Sequence, residues 1–169
     1  MRDQLFIDIC DRLNEKVPEL RWIDKDWNQL DLPEQSYPLQ FDCCLISFPE
    51  IPWDSLTRGA QDGVVSILVK VAVDMYNDTH IAGGITAPDR ALAVAKLQLV
   101  NKVHAALHGF EGTYFSKLSR KRSVEEKRND GLLVFNEYYE TRMQDNSGAV
   151  NYQRATIAPK VTGNFDSEV

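Results

Sequence analysis

The stretch from Val64 to Tyr76 constrains this chain more than any other. Val65, Ile67, Val69, Val71, Val73 and Met75 alternate with Ser66, Lys70 and Asp74, the period-two pattern of a strand with one face on a core. At 13 residues it exceeds the usual length of about five or six, so part of it is expected to project from the main body. A second, interior strand is expected within Leu39 to Phe48, where Phe41, Cys43, Cys44, Leu45, Ile46 and Phe48 cluster and Pro49 and Pro52 end the run. Residues 49–63 carry turn formers at both ends and little periodicity, and are expected to form a connection.

Helical spacing appears twice. Leu5, Phe6, Ile9, Cys10 and Leu13 form one stripe over residues 3–16, with Asp8, Asp11, Arg12 and Glu15 opposite and Pro18 as the stop. Thr86-Ala87-Pro88-Asp89 reads as a helix start, with a hydroxyl cap and proline in the first turn. That helix is expected to reach Leu107 or His108, with Leu92, Ala95, Leu99, Val103, Ala106 and Phe110 on its apolar side and Gly109 as its left-handed cap. Trp22 lies in a short strand-like stretch over residues 20–27. Tyr114 to Arg128 and Gly131 to Met143 predict two strands around the turn Asn129-Asp130-Gly131.

The order helix, strands, helix, strands predicts an α+β fold: one domain over 1–144, an antiparallel sheet packed on two main helices. Long loops are expected at 28–38 and 77–88. Residues 145–169, rich in Asn, Ser, Thr and Gly, are expected to form an extended C-terminal arm. A length of 169 residues suits one domain, able to bury roughly 70% of its unfolded surface without disulfides or metal. No apolar run approaches the ~18 residues that cross a bilayer, so no membrane partner is expected. The first residues show no secretory pattern. Cys10, Cys43 and Cys44 match neither a zinc spacing nor a paired framework and are expected to be buried thiols in a reducing compartment.

Chemistry-bearing motifs are sparse. His104 and His108 stand at i, i+4 and could share a metal on one helix face, but Ala105 replaces the glutamate of the zinc-protease motif. The plainer reading is a packed helix flank. Cys43 and Cys44, adjacent in a strand, cannot face the same side. Gly83-Gly84 lacks the lysine of a phosphate loop. No catalytic residue, cofactor or metal site is expected.

Charge is unevenly spread. The net charge is −6, yet residues 116–130 hold Lys117, Arg120, Lys121, Arg122, Lys127 and Arg128 against three acids, a net +3. The first 54 residues hold five bases and twelve acids, a net −7. Two partnered readings stand beside a plain solvated hairpin: a nucleic-acid contact through Ser-Arg-Lys-Arg-Ser, or a basic hairpin that meets an acidic face on the next copy of the chain. Trp22, Trp27, Trp53, Tyr76, Tyr114, Phe115, Tyr138 and Tyr139 add candidate interface anchors.

An N-terminal helix, a strand entered through Tyr37-Pro38 and left through Ile-Ser-Phe-Pro-Glu-Ile-Pro-Trp, a long valine-rich strand, a helix ending His-Ala-Ala-Leu-His-Gly-Phe, a basic strand and the strand Asn-Glu-Tyr-Tyr-Glu-Thr follow one another. Over about residues 2–145 this order resembles the tail terminator, or tail-to-head joining, proteins of long-tailed bacteriophages. The resemblance implies a structural virion protein assembled in the host cytoplasm. Six copies would form a ring on the head-proximal end of the tail tube, stop its polymerisation and join it to the neck, connector or head-completion protein. It implies no turnover, and DNA only in transit through the lumen. Candidate interface residues are the six cations above, Trp53, and Tyr152, Ile157, Val161 and Phe165 of the arm. A head-closure or other neck adaptor, a small nucleic-acid-binding module using residues 117–128, and a metal enzyme using His104 and His108 are the alternatives.

Overall fold

The computed structural model describes residues 1–32, 39–74 and 87–149, and only the backbone of 87–89 and 92. The loop segments 33–38 and 75–86, which include Tyr76 and His80, lie outside the described residues, as do the arm residues Tyr152, Ile157, Val161 and Phe165.

Two helices, α1 (Arg2–Lys16) and α2 (Ala87–Leu107), lie with a six-stranded sheet. The strands are β1 (Trp22–Lys25), β2 (Cys43–Ser47), β3 (Trp53–Ser55), β4 (Gln61–Asp74), β5 (Ser119–Glu126) and β6 (Leu132–Asp145). Their order is β1-β2-β4-β6-β5, with β3 also paired to β4. The α+β reading holds, with one correction: β1 and β2 run parallel, and the other pairs are antiparallel.

Among the described residues, no part of β4 projects from the sheet. All 14 residues from Gln61 to Asp74 pair with β6 from Asp145 to Leu132. β6 matches β4 in length, and alternation that puts both Val65 and Val73 in the core leaves no stretch of β4 free to leave the sheet. Val65, Ile67, Val69, Val71 and Val73 pack with Cys44, Ile46, Tyr139 and Met143 against Leu5, Ile9 and Leu13 of α1 and Leu99, Val103, Ala106 and Leu107 of α2. Each such aliphatic side chain, fully buried, stabilises the fold by about 1.5–3 kcal/mol. On α2 the buried stripe includes Ala93, while Ala95 is exposed. Apolar residues surround this helix, including the exposed Val94 and Leu97, so small alanines do not decide its face.

The opposite sheet face is half covered. Leu30, Cys43, Leu45, Ala72 and Val134 form a second cluster there, flanked by Trp22, Leu39, Phe41 and Leu132. Residues 28–32, expected to be loop, contribute a 3-10 turn, Gln29–Asp31, whose Gln29 and Leu30 are buried. Leu30 caps the second cluster, and the Gln29 amide closes the turn through the Lys25 carbonyl (2.8 Å). Cys43 and Cys44 thus fall in different clusters, as strand alternation requires. Burial pushes the Cys43 thiol up to about 12 and the half-buried Cys10 to about 11, which keeps both protonated and unreactive.

Residues 49–63, expected to be a connection, extend the sheet instead. The Ser66 and Val64 amides donate to the carbonyls of Glu50 (3.0 Å) and Pro52 (3.2 Å), and β3 then pairs with Gln61–Gly63. Prolines have no N–H to give, but their neighbourhood still accepts. Gly109 and Gly131, with φ of 79° and 80°, make the two predicted turns.

Trp53 packs partly buried against the main cluster, its indole over Gly63, the residue opposite it in the ladder. A Cβ on Gly63 would meet Trp53 Cε3 at 2.6 Å. Gly63→Ala is expected to destabilise the protein by about 1–3 kcal/mol in urea unfolding. The loss should shrink in a Trp53→Leu background, since contacting residues are not additive.

Candidate functional site

The basic segment is sorted by a bulge. β5 pairs with β6 as Arg120 opposite Tyr139 and Arg122 opposite Tyr138, with Lys121 as the extra residue. The inserted residue changes the facing of everything before it. Arg120 and Ser123 therefore both reach Glu137 on the helix side, while Lys121 and Arg122 stand on the open side.

Glu137 is fully buried in β6, opposite Val69. Its carboxylate accepts from Arg120 Nη1 (3.1 Å) and from the Ser123 hydroxyl. A buried carboxylate is tolerated only when paired and hydrogen-bonded in this way. Beside it, Tyr139 Oη lies 3.4 Å from His104 Nδ1, and the Arg120 backbone N–H donates to His108 Nδ1 (3.3 Å). Burial, and then the Glu137 charge, raise the Tyr139 phenol above its ordinary value. Desolvation first, then Arg120 and His108, hold His104 below its ordinary value, against an opposing pull from Glu137.

The two histidine rings are 5.0 Å apart. Nδ1 of His108 is taken up by the Arg120 amide and Nδ1 of His104 faces the Tyr139 hydroxyl. The pair is arranged as clamps between α2 and β5, and no group of three or more His, Cys, Asp or Glu side chains stands together among the described residues.

Arg128 is also engaged inside the chain. It donates to Asp130, to Asp31 (2.8 Å), to Glu126 (3.1 Å) and to the Leu30 carbonyl (2.9 Å). These carboxylates raise the guanidinium pKa further. It fastens the 3-10 turn to the β5–β6 hairpin, and Lys70 holds the same segment through Asp26 at 2.9 Å. Sequence reasoning counted six cations as one basic cluster. Four stand exposed: Lys117, Lys121, Arg122 and Lys127. Of these, Lys121 lies 3.5 Å from Glu140, and Arg122 stacks over the Tyr138 ring at 5.3 Å. Phe115 and Tyr139 are core residues, whereas Trp27 and Tyr114 are exposed.

Strand order places β5 at one lateral edge of the sheet and β1 with β3 at the other. Acids missed as individuals by sequence reasoning lie on that second edge: Asp24 half exposed, Glu50 and Asp54 exposed. A groove of about 360 Å³ between α2 and the sheet end is lined by Glu19, Asp74, Lys96 and Lys102, among others. Its charges turn on one another, with Lys102 on Glu19 and Lys96 donating to the Asp74 carbonyl.

No protein-family profile and no curated protein matches the chain. Among solved structures, a chain described as the virion of a native gene transfer agent particle is similar at 15% identity. The similarity covers 73% of this chain and 78% of that one, with a TM-score of 0.43.

Arg120→Ala is expected to destabilise the protein by about 3 kcal/mol, because Glu137 is left buried without its partner. Adding Glu137→Gln should restore part of that loss, read by urea unfolding of the single and double variants. His104 gives a second test. Its folded pKa lies below the unfolded value near 6.5, so the unfolded chain binds more protons as pH falls through that value. Thermal stability should drop from about pH 7 downwards, and the drop should be smaller in His104→Gln.

Proposed function

We propose that this chain is a structural component of a phage-type virion, a tail terminator that forms a ring on the head-proximal end of the tail tube. It ends tube growth and presents a surface to the neck, connector or head-completion protein. DNA meets it only in passage through the lumen. The observation that carries this reading is a sheet whose two lateral edges carry no further strand among the described residues, with Lys117, Lys121 and Arg122 exposed along one and Glu50 and Asp54 along the other. A head-to-tail contact between unlike edges is heterologous, and such contacts close into rings when the rotation allows.

Two further observations support it. The order α1, β2, β4, α2, β5, β6 is the element order on which the resemblance rests. His104 and His108, which sequence reasoning had weighed as metal ligands, tie the end of α2 to β6 and β5, and Glu137 joins β6 to β5. The arm read over residues 145–169, whose first residue, Asp145, ends β6, is proposed to reach a neighbouring subunit or neck protein through Tyr152, Ile157, Val161 and Phe165.

Electron microscopy of the purified chain, alone and added to a polymerising tail tube protein from the same genome, tests the reading. Rings and tubes of limited length with a cap at one end are expected, and removal of residues 150–169 should weaken ring formation. Tubes that grow unchecked would overturn the terminator role. Binding to the connector without capping would mark a head-closure adaptor instead.

A further inference from the structure

The strand register fixes which residues of the two open edges stand at the same height. Ser66 pairs with Glu140, which pairs with Ser119 of β5, and on its other side Ser66 donates to the Glu50 carbonyl. Lys121, the bulged residue, reaches Glu140 and so shares the height of Glu50. Asp54 lies opposite Asp62, which lies opposite Gln144. Phe115 bridges the neighbouring Met143, and two residues further on Lys117 falls between the heights of Asp54 and Glu50. Arg122 stands one step above, at the height of Leu68. These charges lie within the stretch opposite Asp62–Leu68, about 20 Å of the ladder, while Lys25, Glu125 and Lys127 are exposed outside it.

The charge balance within that stretch is complementary. On the β5 side Glu140 offsets Lys121, leaving Lys117 and Arg122 as surplus cations. On the β3 side Asp54 and Asp62 face each other as like charges, which disfavours the pair. Arg142 answers Asp62 at 3.4 Å. Glu50 and Asp54 have no ion pair among the described residues, and neither does Arg58 in the turn that follows. Towards the other end of the sheet, Asp24 stands near the height of Glu125, so like charges meet there and the complementarity stops.

We propose that the β3 edge of one copy, through Glu50 and Asp54, docks on the β5 edge of the next copy, through Lys117 and Arg122. This deepens the ring reading of the previous subsection and rests on it. Asp54 meets Lys117 and Glu50 meets Arg122 when the next copy is staggered along the strands by two to three residues, about 7–10 Å, the same offset for both pairs. The contact is made by exposed side chains at a sheet edge, so it is screened by salt within about 8–10 Å.

Sedimentation velocity on the full chain at low and high salt, with circular dichroism as the folding control, tests the contact. The unaltered chain should associate at low salt and dissociate at high salt. Lys117→Glu/Arg122→Glu and Glu50→Lys/Asp54→Lys should each weaken association about tenfold or more, because each variant carries one sign on both edges. An equimolar mixture of the two should reassociate, alternating around the ring. Folded variants that associate like the parent, or a mixture that stays dissociated, would overturn the contact while leaving the ring reading in place. A parent chain that stays monomeric at every concentration would overturn both. If a reversal unfolds the chain, Lys117→Gln/Arg122→Gln and Glu50→Gln/Asp54→Asn replace it, and unchanged association then counts against the contact.

Discussion

The antiparallel ladder between β4 and β6 is the constraint on which everything else depends. Its 14 residue pairs run the whole length of both strands. Because every other strand except β1 pairs with one or the other, the ladder sets a common scale of height for the molecule. Both helices pack on one side of it. The second cluster, the 3-10 turn and the open charges share the other. A shift of one residue in this register would turn Val65, Ile67, Val69, Val71 and Val73 out of the core together, so the heights compared at the two edges are as firmly fixed as the core itself.

Within that frame, one buried carboxylate organises the basic strand. Glu137 needs partners because it lies under the helices, and the bulge at Lys121 supplies them by bringing Arg120 and Ser123 to the same side. The consequence is that a segment rich in positive charge divides into an inner residue that stabilises the fold and outer residues free to act elsewhere. Arg128 makes the same division at the hairpin, where three carboxylates and a carbonyl surround it.

The long strand, both helices and the Asp130-Gly131 turn were legible in the sequence because each has a strong local signal: period two, period 3.6, or a residue suited to positive φ. β3 was not, since Pro49 and Pro52 mark a break and the accepting role of the Glu50 and Pro52 carbonyls leaves no trace in residue type. β4 was read as a long strand over 64–76 and begins three residues earlier, at Gln61, and its partner β6 was not visible in the sequence. The parallel pairing of β1 with β2 is likewise a matter of tertiary path, not of residue pattern. At the candidate site, composition showed the opposed charges of the first third and the hairpin. It could not show that a bulge and a buried glutamate withdraw Arg120, or that Leu30 and Asp31 draw in Arg128. Register, which decides what meets what across a sheet, is a long-range property.

The bulge has a last consequence, for what the edge avoids. An unbroken, uncharged edge strand invites any extended chain to add to it, and such growth has no natural end. In β5 the run of backbone donors and acceptors is interrupted at Lys121, and lysine and arginine side chains flank the gap. On the opposite edge Pro49, next to Glu50 whose carbonyl turns inward to Ser66, has no N–H to offer. The β5 border of the sheet, interrupted and charged, is thereby a poor template for the addition of further strands.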